Sequence, residues 1–139
     1  MAYTANETKL SIRRDGESSF AEIPHLMEVP ELGGTPEKID VTTLADKTKR
    51  YIPGIKDYGD LVFKFLYDNT EASSNFRVLK ELDDSVSTAS FRLEYPDGTS
   101  HQFDAVPSVK KDAAAINGAL TFSATMMLQS DIEMSNPTA

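Results

Sequence analysis

The chain has 139 residues, enough for one domain with a sizeable core, and its 40% hydrophobic and 26% charged content argues against disorder throughout. With no cysteine it holds no disulfide framework, thiolate zinc site or cysteine nucleophile. Twenty-two acidic residues against 14 Lys plus Arg give a formal charge of −8, and a surface of that sign repels nucleic acid instead of neutralising its phosphates.

The opening Met-Ala-Tyr-Thr-Ala-Asn-Glu-Thr has neither the basic end nor the apolar run of a secretory signal. No stretch approaches the roughly 20 apolar residues of a membrane span, so the expectation is a soluble protein made in a cytoplasm. Residues 1–8 read as a polar arm. Lys9 to Arg14 predicts a strand with Leu10 and Ile12 inward, turned back at Asp15-Gly16-Glu17. A second strand follows from Ser19 to Val29, and Pro24 places it at an edge or a bulge, because proline has no ladder donor. Pro30 to Pro36 is a loop. Its Gly33-Gly34 is a turn and lacks the Gly-Lys-Ser/Thr ending of a phosphate-binding loop.

Ile39 to Thr43 is a short β signal, with Ile39, Val41 and Thr43 on one face. Residues 44–58 then read as a loop longer than a compact domain needs. It carries Leu44, Tyr51, Ile52, Ile55 and Tyr58 among Lys47, Lys49, Arg50 and Lys56, which suits a loop that docks onto something. Leu61 to Tyr67 is a stronger strand, with Leu61, Phe63, Phe65 and Tyr67 sharing a face. The period then changes. Asp68 or Asn69 caps a helix predicted over Thr70 to Leu82, with Glu71 in its first turn and Ala72, Phe76, Leu79 and Leu82 as its apolar stripe. Asp83-Asp84-Ser85 ends it.

Val86 to Tyr95 alternates cleanly, with Ala89, Phe91, Leu93 and Tyr95 on one side. Pro96-Asp97-Gly98-Thr99 turns it into Ser100 to Val106, where His101, Phe103 and Ala105 alternate with polar residues. Pro107 to Asn117 is a connector. Gly118 opens a last strand with Leu120, Phe122, Ala124, Met126 and Leu128 on one face, and 130–139 is a polar tail. About seven strands and one helix make a mainly β fold: a single domain, 1–139, built as an antiparallel β-sandwich or barrel with a flanking helix at 70–82 and a long loop at 44–58.

Reactive groups do not converge. His25 and His101 are the only histidines, each inside a strand pattern, and no His-x-x-His or His-Glu pair offers a metal site. The serines lack a nucleophile-elbow setting. Asp83-Asp84 reads as a helix end, since adjacent residues do not face each other on a helix. Arg13-Arg14 and Lys47-Thr48-Lys49 are short basic runs that suit a solvated surface. The expectation is a protein without catalytic residues, metal or cofactor.

The run Asp40-Val41-Thr42-Thr43-Leu44, followed by Arg50-Tyr51-Ile52-Pro53-Gly54-Ile55-Lys56-Asp57-Tyr58-Gly59, resembles a segment of the tail tube proteins, or major tail proteins, of long non-contractile-tailed bacteriophages. The helix after an aromatic strand, Leu93-Glu94-Tyr95-Pro96-Asp97-Gly98-Thr99 and Asn117-Gly118-Ala119-Leu120-Thr121-Phe122 extend the resemblance over about Asp40 to Leu128. It implies a structural virion protein whose hexameric rings stack into a hollow tube, the conduit for genome ejection. It also implies that Leu44, Arg50, Tyr51, Ile52, Pro53, Gly54, Ile55 and Tyr58 form an inter-ring contact, with arms 1–8 and 130–139 ordering on assembly. The implied partners are a tape-measure protein in the bore, a tail terminator, tail-tip or baseplate proteins, and DNA passing without specific binding. Assembly in the bacterial host cytoplasm and residence in the virion tail follow. The alternative is a tail-tip module that binds carbohydrate or a receptor, with Tyr51 and Tyr58 stacking on a sugar in an aromatic-lined groove.

Overall fold

A computed structural model describes residues 6–33, 35–58, 61–112 and 118–137. Along them run β1 (Lys9–Arg13), β2 (Ala21–Ile23), β3 (Leu26–Glu28), β4 (Thr35–Asp40), β5 (Tyr51–Asp57), β6 (Leu61–Leu66), α1 (Asn75–Ser85), β7 (Ala89–Glu94), β8 (Ser100–Lys111), β9 (Thr121–Leu128) and β10 (Glu133–Ser135). Eight strands form one antiparallel sheet in the order β2-β1-β7-β8-β9-β6-β3, with β10 on β8, while β4 and β5 pair only with each other.

The core follows from period-two alternation carried in register across the sheet. Leu10 lies opposite Leu93, Phe91 opposite Phe103, Ala124 opposite both Val109 and Phe63, and Phe122 opposite Phe65. All the inward residues therefore gather on one face. Phe65 and Phe122 stack at 5.2 Å, and Phe91 and Phe103 at 5.8 Å. Val78, Leu79 and Leu82 of α1 are buried in the same cluster.

The sheet is curled, and a two-residue link forces it. β2 and β3 stand at opposite ends of the strand order, yet only Pro24 and His25 separate them. Three Cα steps span at most about 11 Å, so the two ends of the sheet must come round to meet. No ladder joins β2 to β3, so the barrel stays open. This corrects the single predicted strand from Ser19 to Val29. Pro24 has no N–H and His25 takes a left-handed φ of 66°, so the strand breaks there and its halves pair with β1 and β6.

The helix also starts later than predicted, at Asn75 instead of Thr70, with Ser74 as its N-cap residue. Asp68 does not cap it. Its carboxylate accepts from the Thr70 amide (3.3 Å) and hydroxyl (2.9 Å), which closes a local turn. Glu71 and Ala72 fall outside the helix and are exposed.

The predicted connector from Pro107 is strand up to Lys111. β7 stops pairing at Ala89 opposite Ala105, so beyond that point β8 has a free edge on the side away from β9. Val109 N–H on this edge donates to Asp83 Oδ2 of α1 at 3.1 Å. Pro107, two residues earlier, presents its missing N–H to the same edge. A proline is tolerated because no strand needs its donor, and together the two residues blunt the edge. Within the stretch read as a polar tail, Glu133–Ser135 pairs with Ser100–Gln102.

Candidate functional site

Among the described residues no group of three or more His, Cys, Asp or Glu is placed to hold a metal ion. His101 lies edge-on to Tyr95 at 5.6 Å, and burial lowers its pKa. An open polar bowl includes Arg13, Arg14, Glu17, Ser90 and Asp104 in its wall. Its charges answer one another, with Arg14 on Glu17 at 3.2 Å and Ser90 on Asp104 at 2.7 Å, and no aromatic side chain lines it.

The distinctive feature is the β4–β5 hairpin. Its extensive packing is between its own two strands. A lone two-stranded ribbon is marginal in water, so its order has to come from local bonds or from a partner. Local bonds are abundant at its tip. The Thr42 amide donates to Asp40 Oδ1 (2.9 Å), and the Arg50 amide donates to Thr42 Oγ1 (2.9 Å). The Thr43 amide and hydroxyl both donate to Asp46 Oδ2, at 2.9 and 3.2 Å, and Arg50 Nη1 lies 3.7 Å from Asp46 Oδ1. Bonds from the Thr42 hydroxyl and amide hold the Asp40 carboxyl below its ordinary range. The connection through residues 41–50 is thus a bonded turn.

That turn presents Leu44 to solvent with nothing covering it. Ile55 is 89% exposed, and Ile39, Val41, Tyr51 and Ile52 are also exposed. Burying a large aliphatic side chain is worth about 1.5–3 kcal/mol, so this small ribbon leaves an unusual share of apolar surface open to water.

The predicted loop at 44–58 is therefore half strand, since Tyr51–Asp57 pairs with Thr35–Asp40. Period-two alternation is weak there: Pro53 and Gly54 interrupt it, and none of residues 51–55 is buried. The structure brings most of the predicted contact residues into one arm. Leu44 is at the tip and Arg50 closes the turn. Tyr51 lies near Lys38, whose Nζ is 5.7 Å from the ring centre. Ile52 is opposite Ile39, and Pro53 is opposite Lys38. Gly54 and Ile55 lie in a register shift, where a Cβ on Gly54 would stand 3.2 Å from Glu37 O. Tyr58 sits past the end of β5, half-buried. Sequence reasoning missed Ile39 and Val41 as exposed members of the arm. Their alternation predicts a strand over Ile39 to Thr43 with both on one face; the strand is Thr35–Asp40, and that face is exposed.

A phage tail tube protein family model matches residues 9–136. No curated protein sequence matches. Solved structures similar in fold include the following three. One is the tail of an empty GTA particle computed with C6 symmetry (TM-score 0.75, 15% identity, 96% of this chain and 99% of that one). Another is the 6-fold symmetrised baseplate of the anti-feeding prophage (0.74, 12%, 100% and 99%). The third is the sheath–tube complex of the extracellular contractile injection system PVC in its extended state (0.70, 13%, 97% and 92%).

Proposed function

The chain belongs to the phage tail tube protein family, and on that premise we propose that six copies close into a ring and that rings stack into a hollow tube through which the genome is ejected. The observation that carries this reading is the β4–β5 arm, an ordered ribbon with exposed aliphatic side chains. A head-to-tail contact made by such an arm closes a ring where the rotation fits and grows a filament where it does not. Leu44, Arg50, Tyr51, Ile52, Pro53, Gly54, Ile55 and Tyr58 belong to the contact between rings. The six-fold symmetry of two of the similar structures supports the ring.

The bore holds a tape-measure protein during assembly, and a terminator and tail-tip or baseplate proteins close the two ends. DNA then passes an acidic wall without specific contacts, because phosphates meet no array of counter-charges. The protein is structural and has no catalytic role. It assembles in the host cytoplasm and resides in the virion tail.

Negative-stain images of the concentrated protein should show rings or tubes. Deleting 46–56 removes the second half of the turn and most of β5, and should leave a folded body that does not stack. A strictly monomeric wild-type chain at high concentration would count against the tube, and tubes formed by the deletion would count against the arm.

A further inference from the structure

The arm's two faces and its free edges differ in what they offer. Val41 N–H donates to Arg50 O at 3.0 Å, so Val41/Arg50 is a hydrogen-bonded pair. Antiparallel pairs alternate, so Ile39/Ile52 is bonded, whereas Asp40/Tyr51 and Lys38/Pro53 are not. In a non-bonded pair the amides point away from the partner strand. Pro53 therefore deletes a donor from the free edge of β5, and Lys38 stands at the free edge of β4. Proline and lysine are the residues that discourage strand addition.

The faces are unequal. Ile39 and Ile52 lie directly opposite each other, and Val41 follows two residues on along the same face. The other face carries Lys38, Asp40, Tyr51 and Pro53. An aliphatic face on a two-stranded ribbon is a sheet lacking its second layer.

We propose that the arm docks on a second copy through the Ile39–Val41–Ile52 face, with Leu44 seated at the tip, by side-chain packing and not by strand addition. This rests on the tube-subunit reading and deepens it. A second copy is the fitting occupant on two grounds. Residues 35–58 hold five of the 14 basic residues but four of the 22 acids, so the rest of the chain carries the entire net negative charge. That body also exposes Met27, Val62, Leu66 and Met127 on the neighbouring strands β3, β6 and β9. Val62, Leu66 and Met127 alternate with buried Leu61, Phe63, Phe65 and Met126, so they point away from the core. One chain thus presents both halves of an apolar contact, on different elements, which is the condition for head-to-tail growth.

The test uses the full chain and two matched pairs of substitutions. Ile39→Thr with Ile52→Thr should raise the critical concentration for assembly by at least about tenfold, because each change removes buried apolar area and places a hydroxyl in the contact. Lys38→Thr with Asp40→Asn, on the opposite face and outside the residues assigned to the ring contact, should change it by less than about threefold, as expected for rim contacts. Threonine keeps the strand preference, and melting temperature should be unchanged in both. Ile39→Val with Ile52→Val should assemble nearly as the wild type does. Hydrogen exchange should find the outward amides of Asp40 and Tyr51 as fast in tubes as in monomers. The reverse ranking of the two pairs, or strong protection of those two amides in tubes, would overturn the proposal while leaving the tube intact. Hydroxyl-radical footprinting that found the Ile39 and Ile52 side chains already shielded in the monomer would mean that the face covers its own body, and would also overturn the proposal. A wild type that never assembles would sink the tube reading and this one together.

Discussion

Asn75 Nδ2 donates to the backbone oxygen of Pro24, 51 residues earlier in the chain, at 2.9 Å. The same side-chain nitrogen donates to Leu66 O at 2.9 Å, and its Oδ1 accepts from the amides of Asp68 (3.2 Å) and Phe76 (2.6 Å). The residue is fully buried. One amide side chain therefore ties the start of α1 to the end of β6 and to the corner where the two ends of the sheet meet.

Removing that tie should be costly. Asn75→Ala leaves the Pro24 and Leu66 carbonyls and the Asp68 amide without their side-chain partner, while the Phe76 amide keeps its 3.3 Å bond to Asp68 O, and each unsatisfied buried group costs about 1–3 kcal/mol. A total loss on the order of 3 kcal/mol is expected, since part of the site can relax. Asn75→Asp should be worse, because it aims a carboxylate oxygen at two carbonyl oxygens. Urea unfolding checks both, and a change below about 0.5 kcal/mol for the alanine variant would show that the corner holds without it.

Asp83 offers a second test, at the blunted edge of β8. Asp83→Ala frees the Val109 amide, with an expected cost of about 1 kcal/mol, that of one hydrogen bond. Asp83→Asn keeps an acceptor and should cost less. Size-exclusion chromatography of the alanine variant should show more non-specific association than wild type, because an unpaired strand edge is a template for pairing. Equal stability of the two variants would refute the capping role.

Stability should fall in two steps as the solution is acidified. Burial lowers the His101 pKa, so between its folded value and its ordinary value near 6.5 the unfolded chain binds more protons. Stability from this group is full above that ordinary value and declines as pH falls below it. Hydrogen bonds from the Thr121 and Ser123 hydroxyls lower the Asp112 pKa, and those from the Thr99 amide and hydroxyl lower the Asp97 pKa. Their contribution is present above the ordinary carboxylate range near 4 and is lost as pH falls through the folded values. Melting temperature should be flat from about pH 7 to 8, dip below about 6.5 and fall again below about 4. His101→Gln should remove the first dip only, and Asp112→Asn should shrink the second.

Much of the molecule was legible in the chain alone, and the reason is local. Side chains alternate across a strand as a matter of covalent geometry. Leu61, Phe63 and Phe65 on one face, Ala89, Phe91 and Leu93 on another, and Phe122, Ala124 and Met126 on a third could be assigned to the core without knowing what they meet. The turn at Pro96 to Thr99 is equally local: Gly98 supplies the φ of 96°, and the Asp97 carboxylate accepts from the Thr99 amide. Leu44, Tyr51, Ile52 and Ile55 stood out as apolar side chains set among lysines, and the structure leaves all four exposed.

What tertiary structure alone decided depends on partners far away in the chain. Pro24 marks a possible break, but only the curl of the sheet sends its two sides to β1 and β6. Asp68 offers a helix cap, but the buried site around Asn75 moves the start of α1 seven residues past it. Pro107 speaks against a strand until β7 is seen to stop short and Asp83 to cover the edge. Tyr51–Asp57 has no alternation to announce a strand, because neither of its faces meets the body; pairing with Thr35–Asp40 makes it one. Periodicity reports a face that is buried, so it falls silent where a segment is held by a distant backbone or leaves its apolar side exposed.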